Sequence, residues 1–553
     1  MFFVTCLSAQ VTASMKPPTP PPPTTFAQDA VAGFVVALIA LPLCLAIAMA
    51  SGFPPFAGLL TAIVGGLLTS PLGGAPLTIK GPAAGLIVIV LAAVEDLGAG
   101  DVELGVRRTA TLVAAAGVVQ IALGFARAGK FAELVPAFAV RGMLASIGLM
   151  LLAKQAHVLL GVRPEAHAPL ALFAELPRSV SRANPVSATI GLAALATMLL
   201  WSRHARGDAK RIPAPIAGLL VAVALGELID LAHPRTLRLG GALAVAIPAD
   251  ALVRVPERIS DLTARPLFEG IAPAAGLEHL ALLVLIGTIE TLVSAKAVGA
   301  LDPLHRRTDL DRDLAAVGAG NLVAGLLGGL PMISEIVRSS ANVTAGGRTS
   351  RANFAHGVLL LLFVTAAPAL VHRLPVAALA AMLVVSGVNL ASPRTFRVAR
   401  AIGRDQALVF AATIAVTLAT DLLVGVAVGV AVEAALHLAR GVRPREFRSL
   451  AFDRREVEGA THLVLASPAT FANALPLREA IALAPEDRLL VVDVSSARFV
   501  DHSVLAHVES VRLSRAARGA SPVELRGLEA FADRDAHPLS TRHTPRAPAA
   551  TAR

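Results

Sequence analysis

From Val31 to about Leu438 the chain is built of apolar blocks, and Val31–Ala50 is the first. Each is close to the ~20 residues that a bilayer's hydrocarbon core requires. In lipid such a block has no water for its backbone groups, so it must close its hydrogen bonds internally as a helix. Composition points the same way. Only 16% of the 553 residues are charged and 55% are hydrophobic, against about 25% charged in a soluble globular protein. The chain is read as a multi-pass membrane protein whose first partner is the lipid bilayer.

Spans are placed near 31–50, 56–72, 81–95, 108–127, 132–159, 187–202, 213–230, 277–298, 313–330, 334–344, 354–371, 375–390, 407–420 and 422–438. The formal charge of +10 does not indicate nucleic acid, because one Trp and no Tyr leave almost no base-stacking platform. The basic residues lie in short loops instead. Arg127 and Lys130, the Arg203–Arg211 loop, Lys296 with Arg306, Arg307 and Arg312, Arg348 with Arg351, and Arg394–Arg404 follow even-numbered spans. Glu95, Asp96, Asp101 and Glu103 make one opposite loop acidic, while Arg107, Arg108, Arg163, Arg178 and Arg182 break the pattern. The balance favours an even number of crossings in a cytoplasmic (inner) membrane, with both termini in the cytoplasm.

Residues 1–28, with the run Pro17–Pro23 and no charged start or cleavage site of a secretory signal, are read as a disordered tail. Residues 29–440 form the transmembrane domain and 450–528 a small α/β domain, with strand-like Thr461–Ala466 and Leu489–Val494 and a helix at Leu505–Ala516. Residues 529–553 are read as a second disordered tail. The polar stretch Leu231–Gly276, with a strand-like piece at Ala242–Ile247, divides the spans into two groups of seven. In each group the third is short and opens at Gly or Pro. The expected fold is therefore an all-α polytopic domain, a 7+7 inverted repeat of about fourteen segments, in which interrupted helices meet near the midplane.

The first break is Thr78-Ile79-Lys80-Gly81-Pro82-Ala83-Ala84-Gly85, where Pro82 suits a first helical turn. The second runs from Gly328 to Asn342, with Ser334 as a helix cap and Glu335 in the first turn. A helix N-terminus carries unpaired amides and about half a positive charge, so two of them make an anion cradle. A pair of ordinary kinked spans is the plainer alternative.

The motif Asp29-Ala30-Val31-Ala32-Gly33 through Leu41-Pro42-Leu43, the Lys80–Gly85 stretch and the Gly329–Arg348 stretch together resemble SulP anion transporters. Val491-Val492-Asp493-Val494 followed by Phe499-Val500-Asp501-His502-Ser503 resembles the signature of a STAS domain. The resemblance covers about residues 28–525. It implies a uracil-permease-like fold with core and gate parts, often a homodimer, and transport of sulfate, bicarbonate or a similar small inorganic anion through an elevator-like core movement. Carried over residue by residue, the anion contacts fall on Gly81, Pro82, Ala83 and Ala84 and on Ser334, Glu335 and Ile336. The coupling-ion position falls on Glu290, with Ser294 one turn later. His502 and Ser503 stand where regulatory STAS domains place a phosphorylated serine directly after the aspartate.

Charges at membrane depth are costly and usually mark pairs or ion pathways. Lys80 is expected to face Glu335 and partly neutralise it, with Arg338 as a further partner of Glu335 on the same helix and Asn342 as a packing residue. Glu290 then remains as a carboxylate that H+ or Na+ would neutralise, which makes symport the leading expectation. An anion channel, and a membrane regulator signalling through the C-terminal domain, are the competing readings. Scattered histidines, no nucleophile motif and no metal-ligand spacing indicate neither an enzyme, a cofactor nor a metal site.

Overall fold

The computed structural model describes residues 26–129, 136–166, 168–207, 212–233, 236–239, 243–248, 250–253, 266–299, 301–304, 306, 308–366, 372–420, 422–457, 459–531 and 537–544. The tail expected over residues 1–28 lies outside them up to residue 25. So do Lys130, Lys210, Arg211, Arg307, most of the stretch 254–276 and residues 545–553 of the second tail.

Each of the fourteen expected spans contains a helix. The first half has α1 (Phe26–Ala50), α2 (Pro55–Leu67), α3 (Ile87–Gly98), α4 (Val102–Phe125), α5 (Ala137–Leu159), a surface helix α6 (Pro169–Ser181), α7 (Pro185–His204) and α8 (Ala214–Ile229). The second has α9 (Pro273–Gly299), α10 (Leu310–Leu326), α11 (Ile336–Thr344), α12 (Arg351–Ala366), α13 (Val376–Leu390), the amphipathic α14 (Pro393–Ile402), α15 (Arg404–Ala419) and α16 (Leu422–Ala439). Among the described residues, seven helical stretches are long and apolar enough to cross a membrane, and three shorter apolar helices accompany them.

Three expectations are corrected. Helix α1 starts at Phe26, so residues 26–28 belong to the first span. The domain is not all-α: both broken segments begin as strands, β1 (Ile79–Pro82) and β4 (Met332–Glu335), paired antiparallel. A hairpin, β2 (Thr236–Leu239) with β3 (Leu243–Ala246), stands in the loop between the halves. Residues 537–544 are not a free tail, because they carry a paired strand.

Asp29, the opening residue of the first-span motif, is buried and ties α1 to the loop after α11. Its Oδ1 accepts from the amides of Arg348 (2.7 Å) and Thr349 (3.1 Å), and the Thr349 hydroxyl donates to Oδ2. Gly33 in the same motif lets α12 approach, since a Cβ there would stand 2.7 Å from the Ala352 carbonyl oxygen.

Helices α4 and α10 pack backbone to backbone. Gly117 and Gly124 lie seven apart on α4, and Gly318 and Gly325 lie seven apart on α10, so each pair occupies one helix face two turns apart. A Cβ on Gly117 would lie 2.6 Å from the Gly318 carbonyl oxygen, and one on Gly318 2.7 Å from the Ile121 amide nitrogen. Small residues at such crossings are the means by which membrane helices gain close van der Waals contact.

The C-terminal unit has a four-stranded sheet, β5 (Phe452–Val457), β6 (Ala460–Leu465), β7 (Leu490–Asp493) and β9 (Val523–Arg526), in that order. The β5–β6 pair is antiparallel, and β6–β7 and β7–β9 are parallel. Parallel neighbours need crossovers; α17 (Leu475–Ala482) and α18 (His502–Ala517) supply them. Leu463, Leu490, Val492, Leu505 and Val508 are among the residues of its core. The short strand β8 (Phe499–Val500) pairs with β10 (Arg542–His543), formed by the residues read as a tail. That segment also binds the membrane part: Gln406 Nε2 donates to Thr541 Oγ1 at 3.0 Å, and the Ser540 hydroxyl donates to the Ile402 carbonyl. The sequence there lacks periodicity because its order comes from these contacts rather than from an apolar face.

Leucine at Gly117, or valine at Gly318, is expected to destabilise the protein by about 1–3 kcal/mol or more through overpacking. Thermal unfolding of the purified variants in detergent checks this; an unchanged melting temperature would show that the crossing tolerates a wider gap.

Candidate functional site

In the ladder, Ile79 pairs with Glu335, Lys80 with Ser334, Gly81 with Ile333 and Pro82 with Met332. The strands run in opposite directions, so their helices depart from opposite ends. The two amide-rich termini nonetheless stand within reach of one side chain, since Glu335 at the cap of one half-helix meets the Ala84 amide at the start of the other. Ser334 is not a helix cap and Glu335 is not in the first turn: Glu335 itself occupies the cap position of α11, without a side-chain cap bond. Pro82 likewise ends a strand, and a 3-10 turn, Ala84–Leu86, precedes α3.

The ladder is short, so the edges left by two paired strands must be answered by side chains. Ile79 N–H donates to Ser339 Oγ (2.8 Å) and Lys80 N–H to Asn353 Oδ1 (3.3 Å). Met332 N–H donates to Asn321 Oδ1 (2.6 Å) and Leu330 N–H to Thr61 Oγ1 (2.8 Å). Arg338 Nη2 donates to the Pro82 carbonyl at 3.2 Å.

Alternation of side chains along a strand separates the charged residues into two faces. Lys80 and Ser334 share one. Lys80 Nζ stands 2.8 Å from Asp313 Oδ1, the Ser334 hydroxyl donates to Asp313 Oδ2 at 2.8 Å, and the Ala75 amide donates to Oδ1 at 3.1 Å. The expected Lys80–Glu335 pair is thereby corrected: register places Ile79, not Lys80, opposite Glu335, and Asp313 from the first turn of α10 takes the ammonium.

The other face holds Glu335, Arg338 and Glu290. Glu335 Oε1 reaches back to accept from the Ala84 amide at 3.4 Å. Arg338 is fully buried; Nη1 lies 3.5 Å from Cys44 Sγ and Nε has no hydrogen-bond partner. No ion pair within 4 Å joins Arg338 to Glu335 among the described residues; the expected partnership is an attraction between their charges at longer range. Glu290, from the middle of α9, is 5% exposed, and neither of its oxygens has a hydrogen-bond partner. Its charge interacts with that of Glu335. Two glycines make room: a Cβ on Gly81 would overlap Arg338 Nη1, and one on Gly85 would lie 2.6 Å from Glu290 Oε2.

Of the expected site residues, Gly81, Pro82, Ala83, Ala84, Glu335, Ile336 and Glu290 gather around this second face or its backbone, with Ser294 buried one turn beyond Glu290. Lys80 and Ser334 are diverted to Asp313. Sequence reasoning does not single out Asp313, Asn321, Asn353 or Thr61. For Thr61, Asn321 and Asn353 the only signal is a polar side chain inside an apolar block, and Asp313 is an acidic residue in a first helical turn. Asn342 does pack by hydrogen bonding, donating from Nδ2 to the Leu77 carbonyl at 3.0 Å.

Residues 26–413 match the sulfate permease family. The chain belongs to that family. Among curated relatives it is 28% identical over 388 residues to the bicarbonate transporter BicA of Synechocystis, covering 70% of this chain and 65% of BicA. It is 26% identical over 385 residues to a probable sulfate transporter of Mycobacterium tuberculosis, again covering 70% of this chain and 65% of the relative. The match thus spans just under two thirds of these relatives' length. The structure of murine solute carrier 26 member A9, an anion transporter in the inward-facing state, superposes with a TM-score of 0.63. The identity is 18%, over 94% of this chain and 87% of that one. At that identity the likeness establishes the fold alone.

Lys80→Ala is expected to cost about 3–5 kcal/mol of stability, because Asp313 would keep a buried charge without its partner. Lys80→Met with Asp313→Asn should recover much of it, since the amide oxygen can still accept from Ala75 and the amide NH2 can donate to the Ser334 hydroxyl. Denaturation of the two variants side by side checks this, and equal losses would remove the pair from the ladder's support.

Proposed function

We propose that this member of the sulfate permease family carries a small inorganic anion of the sulfate or bicarbonate class across the cytoplasmic membrane by cation-coupled secondary transport. The observation that carries the reading is the second face of the ladder. A buried guanidinium without a carboxylate at ion-pair distance lies beside the amide-rich start of a half-helix, and an unpaired carboxylate lies on the neighbouring span. The names of the relatives, a bicarbonate transporter and a probable sulfate transporter, support the substrate class.

Charge decides the coupling. Lys80 and Asp313 cancel on the first face. On the second, Arg338 opposes two carboxylates, Glu335 and Glu290, and an arriving anion adds to the negative side. In a dry site this excess is expensive. One H+ or Na+ on Glu290 offsets it, so anion and cation travel together. Glu335 occupies an amide that an anion would use, and its withdrawal from Ala84 frees that donor for the substrate.

The ladder joins one broken segment from each half, as an inverted repeat requires, and its rigid fixing to α2, α10 and α12 suits an elevator-like movement of that unit as one body. The C-terminal unit is read as a STAS domain in the cytoplasm, with both termini there, and the assembly as a homodimer.

Reconstituted protein is expected to show saturable uptake of labelled sulfate or bicarbonate that rises with an inward H+ or Na+ gradient. Saturation-free current without gradient dependence would instead establish a channel, and loss of a cellular effect only on deleting the C-terminal unit would favour a regulator. Glu290→Gln should abolish gradient-driven uptake while anion exchange persists; unchanged coupling would remove Glu290 from the mechanism. Arg338→Gln should weaken anion binding about 10- to 100-fold, the value of one charge-assisted hydrogen bond, in a competition assay with unlabelled anion.

A further inference from the structure

At the junction between the last membrane helix and the C-terminal unit, three buried side chains converge. Glu433 and His437 lie one turn apart on α16, and Asp501 immediately precedes α18. Their exposures are 3%, 2% and 0%. His437 Nε2 stands 3.6 Å from Glu433 Oε1 and 3.7 Å from Asp501 Oδ1. One donor atom from each residue falls within 4.8 Å of the others.

These separations are too long for hydrogen bonds. They lie close to the spacing of ligands on one ion: two donors ~2.1 Å from a metal and about 109° apart stand ~3.4 Å from one another. Neither oxygen of Asp501 has a hydrogen-bond partner, and its side chain does not cap α18. The surroundings leave the charges little else to meet. Phe447, Phe471 and Phe499 enclose the imidazole with ring centroids at 6.0, 5.5 and 4.7 Å, and Arg440, three residues beyond His437, is committed to Asp405 at 2.5 Å. Once the imidazole gives up its proton to act as a ligand, the two carboxylates beside it leave two negative charges in an apolar enclosure, and a divalent cation cancels both.

We propose that Glu433, His437 and Asp501 bind a divalent transition-metal ion, of which Zn2+ is the probe, with a water as fourth ligand. One imidazole and two carboxylates form a donor set suited to Zn2+, and three protein ligands plus water complete its tetrahedron. The ion staples the C-terminal unit to the end of α16, because two ligands come from the membrane helix and one from the unit. This inference stands apart from the transport reading. The sequence concealed it, since Asp501 lies more than sixty residues beyond His437.

The test uses the full chain, free of any tag and stripped with a chelator in detergent. Titration with Zn2+ alone by calorimetry, with the bound metal counted by mass spectrometry, is expected to give about one high-affinity ion per chain. Glu433→Gln, His437→Gln and Asp501→Asn should each weaken it at least about tenfold, and X-ray absorption at the zinc edge should show one imidazole among oxygen ligands. No stoichiometric ion in the wild type, or equal affinity in all three variants, overturns the proposal. Should the variants not fold, a wild-type absorption spectrum lacking imidazole scattering overturns it equally.

Discussion

Non-helical backbone inside a bilayer survives only where every exposed amide and carbonyl finds a partner within the protein. The β1–β4 ladder is such a backbone. It makes its own inner hydrogen bonds, and Thr61, Asn321, Ser339 and Asn353 close its outer edges from four other helical segments. The consequence reaches well beyond the ladder. Helices α2, α10, α11 and α12 must stand where those side chains can reach, so the arrangement of much of the membrane part follows from supplying a few amides.

The same ladder sorts the charges. Because strand side chains alternate, one face can hold a neutral, fully satisfied Lys80–Asp313–Ser334 cluster while the other keeps Arg338, Glu335 and Glu290 incompletely matched. A satisfied cluster is inert and rigid; an unmatched one has free-energy reason to engage ions. Support and the proposed site thus sit back to back across a single pleat, and Gly81 and Gly85 keep the second face free of methyl groups.

Much of this was legible in the sequence. Apolar block length located the helices, and Gly-Pro and Gly-Gly breaks located the two interrupted segments, since both features act locally. The inward carboxylate Glu290 stood out because a charge in the middle of a span is costly and is seldom kept without a task. What could not be read was register. Helical reasoning places Lys80 and Glu335 at equivalent positions and pairs them, whereas a four-residue strand moves them to opposite faces. Asp313 draws no notice because it lies at a helix start, where an acidic residue is ordinary. The segment 537–544 is likewise opaque, its order being imposed by β8 and by the ends of α14 and α15.

The glycine faces of α4 and α10 have a mechanical consequence. Where two backbones touch without side chains between them, no soft layer remains to absorb sliding, and neither a lipid tail nor a water molecule can wedge in. Helix α10 also carries Asp313 and Asn321, both bonded to the broken segments. A displacement of the ladder is therefore transmitted undiminished through α10 into α4, as a rod bolted to a plate moves with it.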